Sequence, residues 1–280
     1  MRIALTIAGS DSGGAAGIQA DLKTFHQFGV FGTSAITAVT AQNTIGVAAW
    51  QALPAALVAQ QIDAVADDLR PAAIKSGMLG SSEIVDTVAE RIARHRLTTY
   101  VLDPVMVATS GDRLLDREAE RLIARRLAPL ALLVTPNLNE AEILVDAEVR
   151  TPDQMEQAGR ALVALGARAA LVKGGHLADR ATIVDVLVQA GGAGGGGGGS
   201  ARRFTHERID TTSTHGTGCT LSAAITAGLA LGRSLEQAVA DGLDFVHRAI
   251  AAAPGLGSSE GHGPLNHFVP APPRPPSEGL

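Results

Sequence analysis

The chain has 280 residues, and 46% of them are hydrophobic, enough to bury the core of one large α/β domain or two small ones. Disorder of the whole chain is therefore excluded. The net charge is −5 and no dense basic stretch occurs, which argues against nucleic-acid or anionic-membrane partners. A single cysteine excludes an internal disulfide and a cysteine zinc cage, and it favours a reducing compartment, by default the cytoplasm.

Apolar runs of strand length alternate along the chain with segments of helical period, which predicts βαβ units around a mainly parallel sheet. The predicted strands span residues 2–8, 33–41, 72–76, 99–103, 131–135, 169–173, 181–187 and 204–209. The predicted helices span residues 17–28, 55–69, 82–94, 117–126, 139–145, 152–165, 218–231 and 235–252. The alternation predicts an α/β fold.

Two segments stand apart from this alternation. Residues 191–200 form a glycine-rich run between two predicted strands. Because no helix start follows them, a flexible insertion in an enlarged hairpin loop is favoured over a phosphate-binding loop. The tail at residues 254–280 is rich in proline and glycine and is expected to be largely disordered. A single domain over residues 1–253 is therefore predicted.

The strongest local pattern is the run from His215 to Cys219, which contains Gly216 and Gly218 and leads directly into a predicted helix. Glycines before a helix let backbone N–H groups face an anion, and the helix dipole adds positive potential. A glycine connection that only permits close packing is the alternative. Cys219 lies in the first helical turn, where the dipole favours a reactive thiolate, although an inert buried cysteine fits the position equally well.

A glycine-rich loop at residues 9–17 follows the first predicted strand and precedes a helix. Ligands of open α/β sheets bind at the carboxyl ends of the strands, so this loop is well placed for a site. It matches neither GxxxxGK[ST] nor GxGxxG, which argues against the two common nucleotide loops. Asp21 lies in the first helix, where an acidic residue is also favourable for the helix dipole alone.

Other strand ends carry charged residues. Asp103 and Glu140 follow two predicted strands, and such carboxylates can hold Mg²⁺ together with substrate phosphates. Capping of a helix by Asn137 or Asn139 is the alternative explanation of the second cluster. Lys173 ends a further strand and could neutralise phosphates, or it could be a solvated strand end.

Together these stretches resemble the hydroxymethylpyrimidine/phosphomethylpyrimidine kinases of thiamine biosynthesis, within the ribokinase-like superfamily. The matching segments follow the family's order and comprise residues 8–14, 17–24, 40–44, 75–79, 102–106, 135–141, 173–176 and 214–219. The resemblance implies a three-layer α/β/α sandwich that transfers the ATP γ-phosphoryl group to a hydroxymethyl pyrimidine and then to its monophosphate. It also implies Mg²⁺ as a cofactor and a homodimer.

The resemblance further implies roles for individual residues. Asp21 and Gln42 would bond the aminopyrimidine edge, while Gly9, Met78 and Val105 would line its pocket. On the phosphoryl side, Gly216 and Gly218 would be backbone donors, and Cys219 and Lys173 would be catalytic residues. Lys173, Asn137 and Thr211 would bind ATP. Asp103 and Glu140 would be the metal ligands.

Three other functions remain open on the sequence. A pyridoxal or pyridoxine kinase would share the fold and the Gly-Thr-Gly-Cys motif, although Gln42 and the Asp21 segment favour the pyrimidine. A cysteine hydrolase would use Cys219 with His215 or His176, but it leaves Lys173 unexplained. A sensor that binds the pyrimidine without turnover is the third.

Overall fold

The computed structural model describes residues 1–106, 115, 117–175, 177, 181–191 and 199–273. Its strands are Ile3–Asp11 (β1), Phe31–Gln42 (β2), Val47–Ala52 (β3), Ala73–Ser76 (β4), Tyr100–Leu102 (β5), Leu133–Val134 (β6), Ala169–Val172 (β7), Thr182–Gln189 (β8) and Ala201–Glu207 (β9). Its helices are Gly17–Gln27 (α1), Ala55–Asp68 (α2), Ser82–His95 (α3), Arg117–Leu122 (α4), Leu138–Val145 (α5), Pro152–Ala164 (α6), Thr217–Ala230 (α7) and Leu235–Ala251 (α8). Among these, no helix combines the length and apolar character needed to cross a membrane.

The strands form one sheet in the order β3-β2-β1-β4-β5-β6-β7-β8-β9. Six adjacent strands pair in parallel, in the order β2-β1-β4-β5-β6-β7. The remaining strands β3, β8 and β9 are antiparallel to their neighbours. The chain places β2 on one side of β1 and later places β4 on the other. The strand order thus reverses beside β1, and ligands of open parallel sheets bind at such reversals.

Helices cover both faces of the sheet. Side chains of successive strand residues point to opposite faces, and in β4, β5 and β7 every residue is buried, so both faces are covered there. On β5, Tyr100 and Leu102 pack with α2, α3 and α4, whereas Val101 packs with α7 and α8. On β1, Leu5 joins the first of these layers and Ala4 packs with α1 and α7 on the other side. The predicted three-layer α/β/α architecture is confirmed.

Four of the eight helices among the described residues, α3, α5, α6 and α8, begin with a side-chain cap that the local sequence supplies. The Thr151 side chain accepts a hydrogen bond from the backbone N–H of Gln154, with proline at the first helical position of α6. At the start of α8, the Ser234 side chain accepts a hydrogen bond from the backbone N–H of Gln237 in the same way. After α4 the chain continues through one π-helical turn at Ile123–Leu127, where a single helix to residue 126 is predicted.

Strand β3 is absent from the sequence prediction. It forms the outer edge of the sheet, and none of its six residues is buried. A strand without a buried face carries no alternation of apolar and polar residues, so its sequence does not reveal it. The glycine-rich run connects β8 to its antiparallel neighbour β9, as a hairpin loop does. Residues 192–198 of that run, and His176, lie outside the described residues.

The tail differs from the predicted disorder as far as residue 273. The backbone N–H of His262 donates to the carbonyl of Thr44 at 2.7 Å, and the backbone N–H of His215 donates to Gly263 at 3.1 Å. Leu265 is 3% exposed within the cluster beneath α7 and α8. A composition rich in proline and glycine indicates disorder only where the segment buries little apolar surface. Here the buried Leu265, together with hydrogen bonds from Arg233 and Arg248 to tail carbonyls, holds the segment against the domain.

We expect Leu265→Ala to reduce the free energy of unfolding by about 2–4 kcal/mol, because it leaves a cavity in a packed core. Thermal melts and urea titrations of the full chain measure the effect. Phe268→Ala is the matched control, since Phe268 is 92% exposed and its truncation should change the melting temperature little. Equal melting temperatures for the Leu265 variant and the wild type would show that the tail is not docked.

Candidate active site

The carboxyl ends of the parallel strands meet the start of α7 at one edge of the sheet. Asp11 ends β1, and Asp103 and Lys173 directly follow β5 and β7. Since parallel strands all end at the same edge, residues far apart in sequence converge there.

The start of α7 is built from glycines that bring backbone close to neighbouring groups. Gly216 caps the helix with φ +84°, and a Cβ at this position would overlap the carbonyl oxygen of Ala15. A Cβ on Gly218 would lie 3.2 Å from Lys173 Nζ and 3.9 Å from Asp103 Oδ2. The glycine start, Lys173 and Asp103 therefore lie together as predicted, and the helix end can accept an anion beside a cation.

Asp103 is the centre of a buried polar cluster. Its Oδ1 accepts hydrogen bonds from Lys173 Nζ and Thr135 Oγ1, both at 3.2 Å, and its Oδ2 accepts from Ser222 Oγ at 3.2 Å. Burial alone would raise the pKa of Asp103, but the charge of Lys173 lowers it below its usual value. The Lys173 ammonium also lies 4.0 Å from Glu140 Oε2. The lysine is thus a paired charge and not a solvated strand end.

Glu140 and Asn137 form a capping box at the start of α5. The Asn137 side chain accepts from the backbone N–H of Glu140 at 2.9 Å, and Glu140 Oε2 accepts from the backbone N–H of Asn137 at 2.8 Å. Burial raises the pKa of Glu140 to about 7, and the nearby charge of Asp103 adds to this against the opposing effect of Lys173. Asn137, and not Asn139, is the cap.

No group of three or more histidine, cysteine or carboxylate side chains arranged as a metal cage occurs among the described residues. Asp103 and Glu140 nevertheless offer the donor type that Mg²⁺ prefers, because this ion binds through one or two carboxylates and completes its shell with phosphates and water. Thr211, predicted to contact ATP, lies in the segment before α7, where its hydroxyl accepts from the backbone N–H of Ser213 at 3.1 Å.

An apolar wall lies beside β1. Met78 packs against Ala38, and Val105 packs on both. A Cβ on Gly9 would lie 3.2 Å from Met78 Sδ. The structure therefore brings together three residues predicted to line the substrate pocket, namely Gly9, Met78 and Val105.

Asp21 is placed differently from the prediction that it bonds the substrate. It is fully buried, its Oδ2 accepts from Thr6 Oγ1 at 2.6 Å, and Lys75 Nζ lies 3.0 and 3.1 Å from its two oxygens. Both carboxylate oxygens are therefore engaged within the protein. Asp21 is a structural partner of Lys75, because a buried carboxylate needs a buried cation.

Lys75 is a site residue that sequence reasoning missed. It is fully buried in β4, and although burial alone would lower its pKa, the charges of Asp21 and Asp103 raise it. The sequence pattern that could have revealed it is a lysine inside an apolar strand. A lysine is almost never buried without a partner, so such a position predicts a buried acidic residue nearby.

Cys219 lies in the first turn of α7, where a lowered thiol pKa is expected. That expectation is wrong, because burial and the carboxylates of Asp21 and Asp103 raise the pKa of Cys219 to about 12. The Lys75 ammonium and a backbone hydrogen bond from Gly17 act in the opposite direction without reversing the shift. The thiol is therefore protonated at neutral pH.

A second polar group connects the loop at residues 9–17 to the segment before α7. His215 Nε2 lies 3.2 Å from Asp11 Oδ2 and 3.1 Å from Gln42 Nε2. Burial opposes the charge on Asp11, but hydrogen bonds from His215 and from the backbone of Ala16 and Gly13 lower its pKa. The predicted ligand-binding residue Gln42 thus contacts His215, which in turn contacts Asp11, and neither of these two residues is among the predicted residues of the kinase site.

The chain is similar to proteins of known activity in both sequence and fold. The phosphomethylpyrimidine kinase family model matches residues 11–266. A hydroxymethylpyrimidine/phosphomethylpyrimidine kinase of Bacillus subtilis is 46% identical, with 95% of this chain and 94% of the relative covered. A crystal structure of phosphomethylpyrimidine kinase from Clostridium difficile is 40% identical with a TM-score of 0.78 and covers 89% of this chain and all of its own. A Bacillus subtilis pyridoxal kinase in complex with ADP is 36% identical with a TM-score of 0.85 and covers 95% of this chain and 97% of its own. The predicted ribokinase-like fold is confirmed.

We expect Lys75→Met to reduce the free energy of unfolding by about 3–5 kcal/mol, because it leaves the Asp21 carboxylate buried without its cation. The double variant Lys75→Met with Asp21→Asn should recover at least half of this loss, since it removes both charges. Urea unfolding followed by circular dichroism measures all three proteins. A double variant no more stable than Lys75→Met alone would contradict this account of the pair.

Proposed function

Because this chain belongs to the phosphomethylpyrimidine kinase family, we propose that it phosphorylates 4-amino-5-hydroxymethyl-2-methylpyrimidine and then the resulting monophosphate. It is a kinase, and membership of this family implies ATP as the phosphoryl donor. In this proposal the diphosphate product serves thiamine biosynthesis.

The observation that carries the proposal is the contact between the phosphate side and the substrate side of the site. Gly218 lies against Lys173, and Cys219 follows it in the first turn of α7. A backbone hydrogen bond joins Cys219 to Gly17, which abuts Gly9 at the apolar wall. An alcohol bound at that wall would lie beside an anion site, which is the arrangement phosphoryl transfer requires.

Phosphoryl transfer needs mainly alignment and neutralisation of charge on the phosphoryl oxygens. We assign the backbone N–H groups of Gly216 and Gly218 to those oxygens and Lys173 to the phosphates as a point charge. Asn137 and Thr211 stay proposed contacts on the nucleotide side. Asp21 supports the site through Lys75, and Gln42 is the proposed contact to the pyrimidine edge.

Mg²⁺ belongs to the proposal as the ion that neutralises the phosphates when bound. Asp103 and Glu140 would hold it directly or through water, in keeping with the preference of Mg²⁺ for carboxylate oxygens. The raised pKa of Glu140, about 7, reflects a buried carboxylate whose charge Lys173 only partly compensates, and a cation would favour its ionised form.

Cys219 is assigned to orienting the substrate hydroxyl. With its pKa near 12 the thiol holds its own proton at neutral pH, so it does not act as a preformed base. In a loose transition state the alcohol proton is lost late, and a phosphoryl oxygen of the product can receive it. A hydrogen-bond partner that aligns the hydroxyl is then sufficient.

Two further predictions stay part of the proposal. A homodimer is supported by apolar side chains on the hairpin of β2 and β3, where Val39 is 50% and Trp50 is 39% exposed. The cytoplasm is supported by the presence of only one cysteine in the sequence.

ADP release in a coupled assay tests the function. We expect turnover with the hydroxymethyl pyrimidine and with its monophosphate, and weaker turnover with pyridoxal. A preference of about a hundredfold or more in kcat/KM for pyridoxal would assign the chain to that activity instead. Binding of the pyrimidine without ADP formation would indicate a sensor, and thiol-dependent hydrolysis without ATP would indicate a hydrolase.

We expect Cys219→Ala to lower kcat by about 100-fold, because the substrate hydroxyl loses its orienting partner. ATP affinity, measured by calorimetry, should stay near that of the wild type. Cys219→Ser is the matched control and should recover part of the loss, since its hydroxyl can still hydrogen-bond the alcohol. An unchanged kcat in the alanine variant would remove Cys219 from this role.

A further inference from the structure

His215 contacts two polar side chains through a single ring nitrogen. Its Nε2 lies 3.2 Å from Asp11 Oδ2 and 3.1 Å from Gln42 Nε2, and the residue is only 6% exposed. One nitrogen cannot donate a proton and offer a lone pair at the same time, so only one assignment of hydrogens satisfies both neighbours.

Asp11 decides which form His215 takes. The Asp11 carboxylate accepts backbone N–H bonds from Gly13 at 2.8 Å, Ala15 at 3.0 Å and Ala16 at 2.8 Å. An ionised carboxylate has lone pairs only, so its contact with His215 is a hydrogen bond only if Nε2 carries the hydrogen. A doubly protonated ring would present the same hydrogen at Nε2, so the conclusion does not depend on the charge of His215.

An N–H at His215 Nε2 in turn decides how the Gln42 amide is turned. With Gln42 Nε2 facing His215 at 3.1 Å and Oε1 facing Thr40 Oγ1 at 3.2 Å, two N–H groups would oppose each other. Exchanging the amide oxygen and nitrogen, which have nearly the same shape, removes this conflict. Thr40 Oγ1 can accept from the amide, because its hydroxyl donates its hydrogen to the carbonyl oxygen of Ser10 at 3.1 Å.

The amide so fixed keeps one free lone pair on Oε1 and one free N–H on Nε2 at its outer edge. We propose that Asp11 and His215 are positioning residues that set the order of this acceptor and donor, so that Gln42 selects a 4-aminopyrimidine over its 4-oxo analogue. The inference rests on the proposed function. The 4-amino ring offers a donor beside an accepting ring nitrogen, whereas the 4-oxo ring offers an acceptor beside a ring N–H. With the 4-oxo ring, Gln42 Oε1 would face the ring carbonyl oxygen and Gln42 Nε2 would face the ring N–H, so acceptor opposes acceptor and donor opposes donor.

The experiment compares kcat/KM for the 4-amino and 4-oxo hydroxymethyl pyrimidines, together with dissociation constants from calorimetry. We expect the wild type to prefer the amino form by about 100-fold or more, because unpaired buried polar groups penalise the wrong acceptor. His215→Leu removes the donor and should bring the preference below about 10-fold. His215→Gln can place an N–H near the same point and should retain more of it. His26→Asn, at an exposed position of α1, is the matched control and should leave the preference unchanged.

Asp11→Ala removes the carboxylate that only accepts, so His215 can carry its hydrogen on Nδ1 and accept from the Gln42 amide at Nε2. We expect this variant to favour the oxo form relative to the wild type, an inversion that general loosening of the loop would not produce. Asp11→Asn is its matched control and should retain more of the wild-type preference, because its oxygen has to face the backbone N–H groups of Ala15 and Ala16 at the position beside His215. The alanine variant also serves if His215→Leu does not fold, as judged by circular dichroism.

The outcomes separate this inference from the proposed function. A wild type that phosphorylates the amino form while His215→Leu and Asp11→Ala both keep its selectivity would overturn the positioning role alone. A wild type that accepts both rings equally would also overturn it. If no turnover occurs, the calorimetric preference still decides the role of His215, and binding of neither pyrimidine would overturn both proposals.

Discussion

Two loops from opposite ends of the chain touch through glycine backbone, and the site depends on this contact. Gly17 and Gly216 both have positive φ. A Cβ on Gly216 would overlap the carbonyl oxygen of Ala15 in the facing loop, and a Cβ on Gly17 would overlap the carbonyl oxygen of Gly9 within its own loop. Glycine adopts this conformation without steric cost. The contact brings the loop after β1 against the start of α7, so that the groups proposed to bind the pyrimidine and the phosphoryl group are adjacent.

Beneath this contact the protein buries several charges, and their pairing determines the chemistry of the neighbouring groups. Burial of an ion costs several kcal/mol, which is offset only when a partner and further hydrogen bonds are present. Lys75 pairs with Asp21, and Lys173 pairs with Asp103. The two carboxylates favour the protonated thiol of Cys219, so the residue that the helix dipole would activate is kept neutral. The dipole of one helix is a smaller effect than burial beside two anions.

Sequence reasoning predicted most elements, because apolar periodicity reports which faces are buried. It missed β3, which has no buried residue, and it predicted disorder where Leu265 is inserted into the core. At the site, residues at strand ends were brought together as expected, including Lys173 with Asp103. Asp21 and Cys219 have other environments than those predicted, because neighbours that are distant in sequence surround them.

The sequence by itself determined the order of the elements, the glycine start of α7, the charged residues at the strand ends and the resemblance to a kinase family. These features depend on local spacing and on residue type. Only the tertiary structure decided which charges are paired, that burial raises the pKa of the Cys219 thiol and that His215 contacts the Gln42 amide. Each of these depends on desolvation and on hydrogen-bond partners: Lys75 is 54 residues from Asp21, and His215 is 204 residues from Asp11. Such partners are defined by packing in three dimensions, and local sequence patterns do not record them.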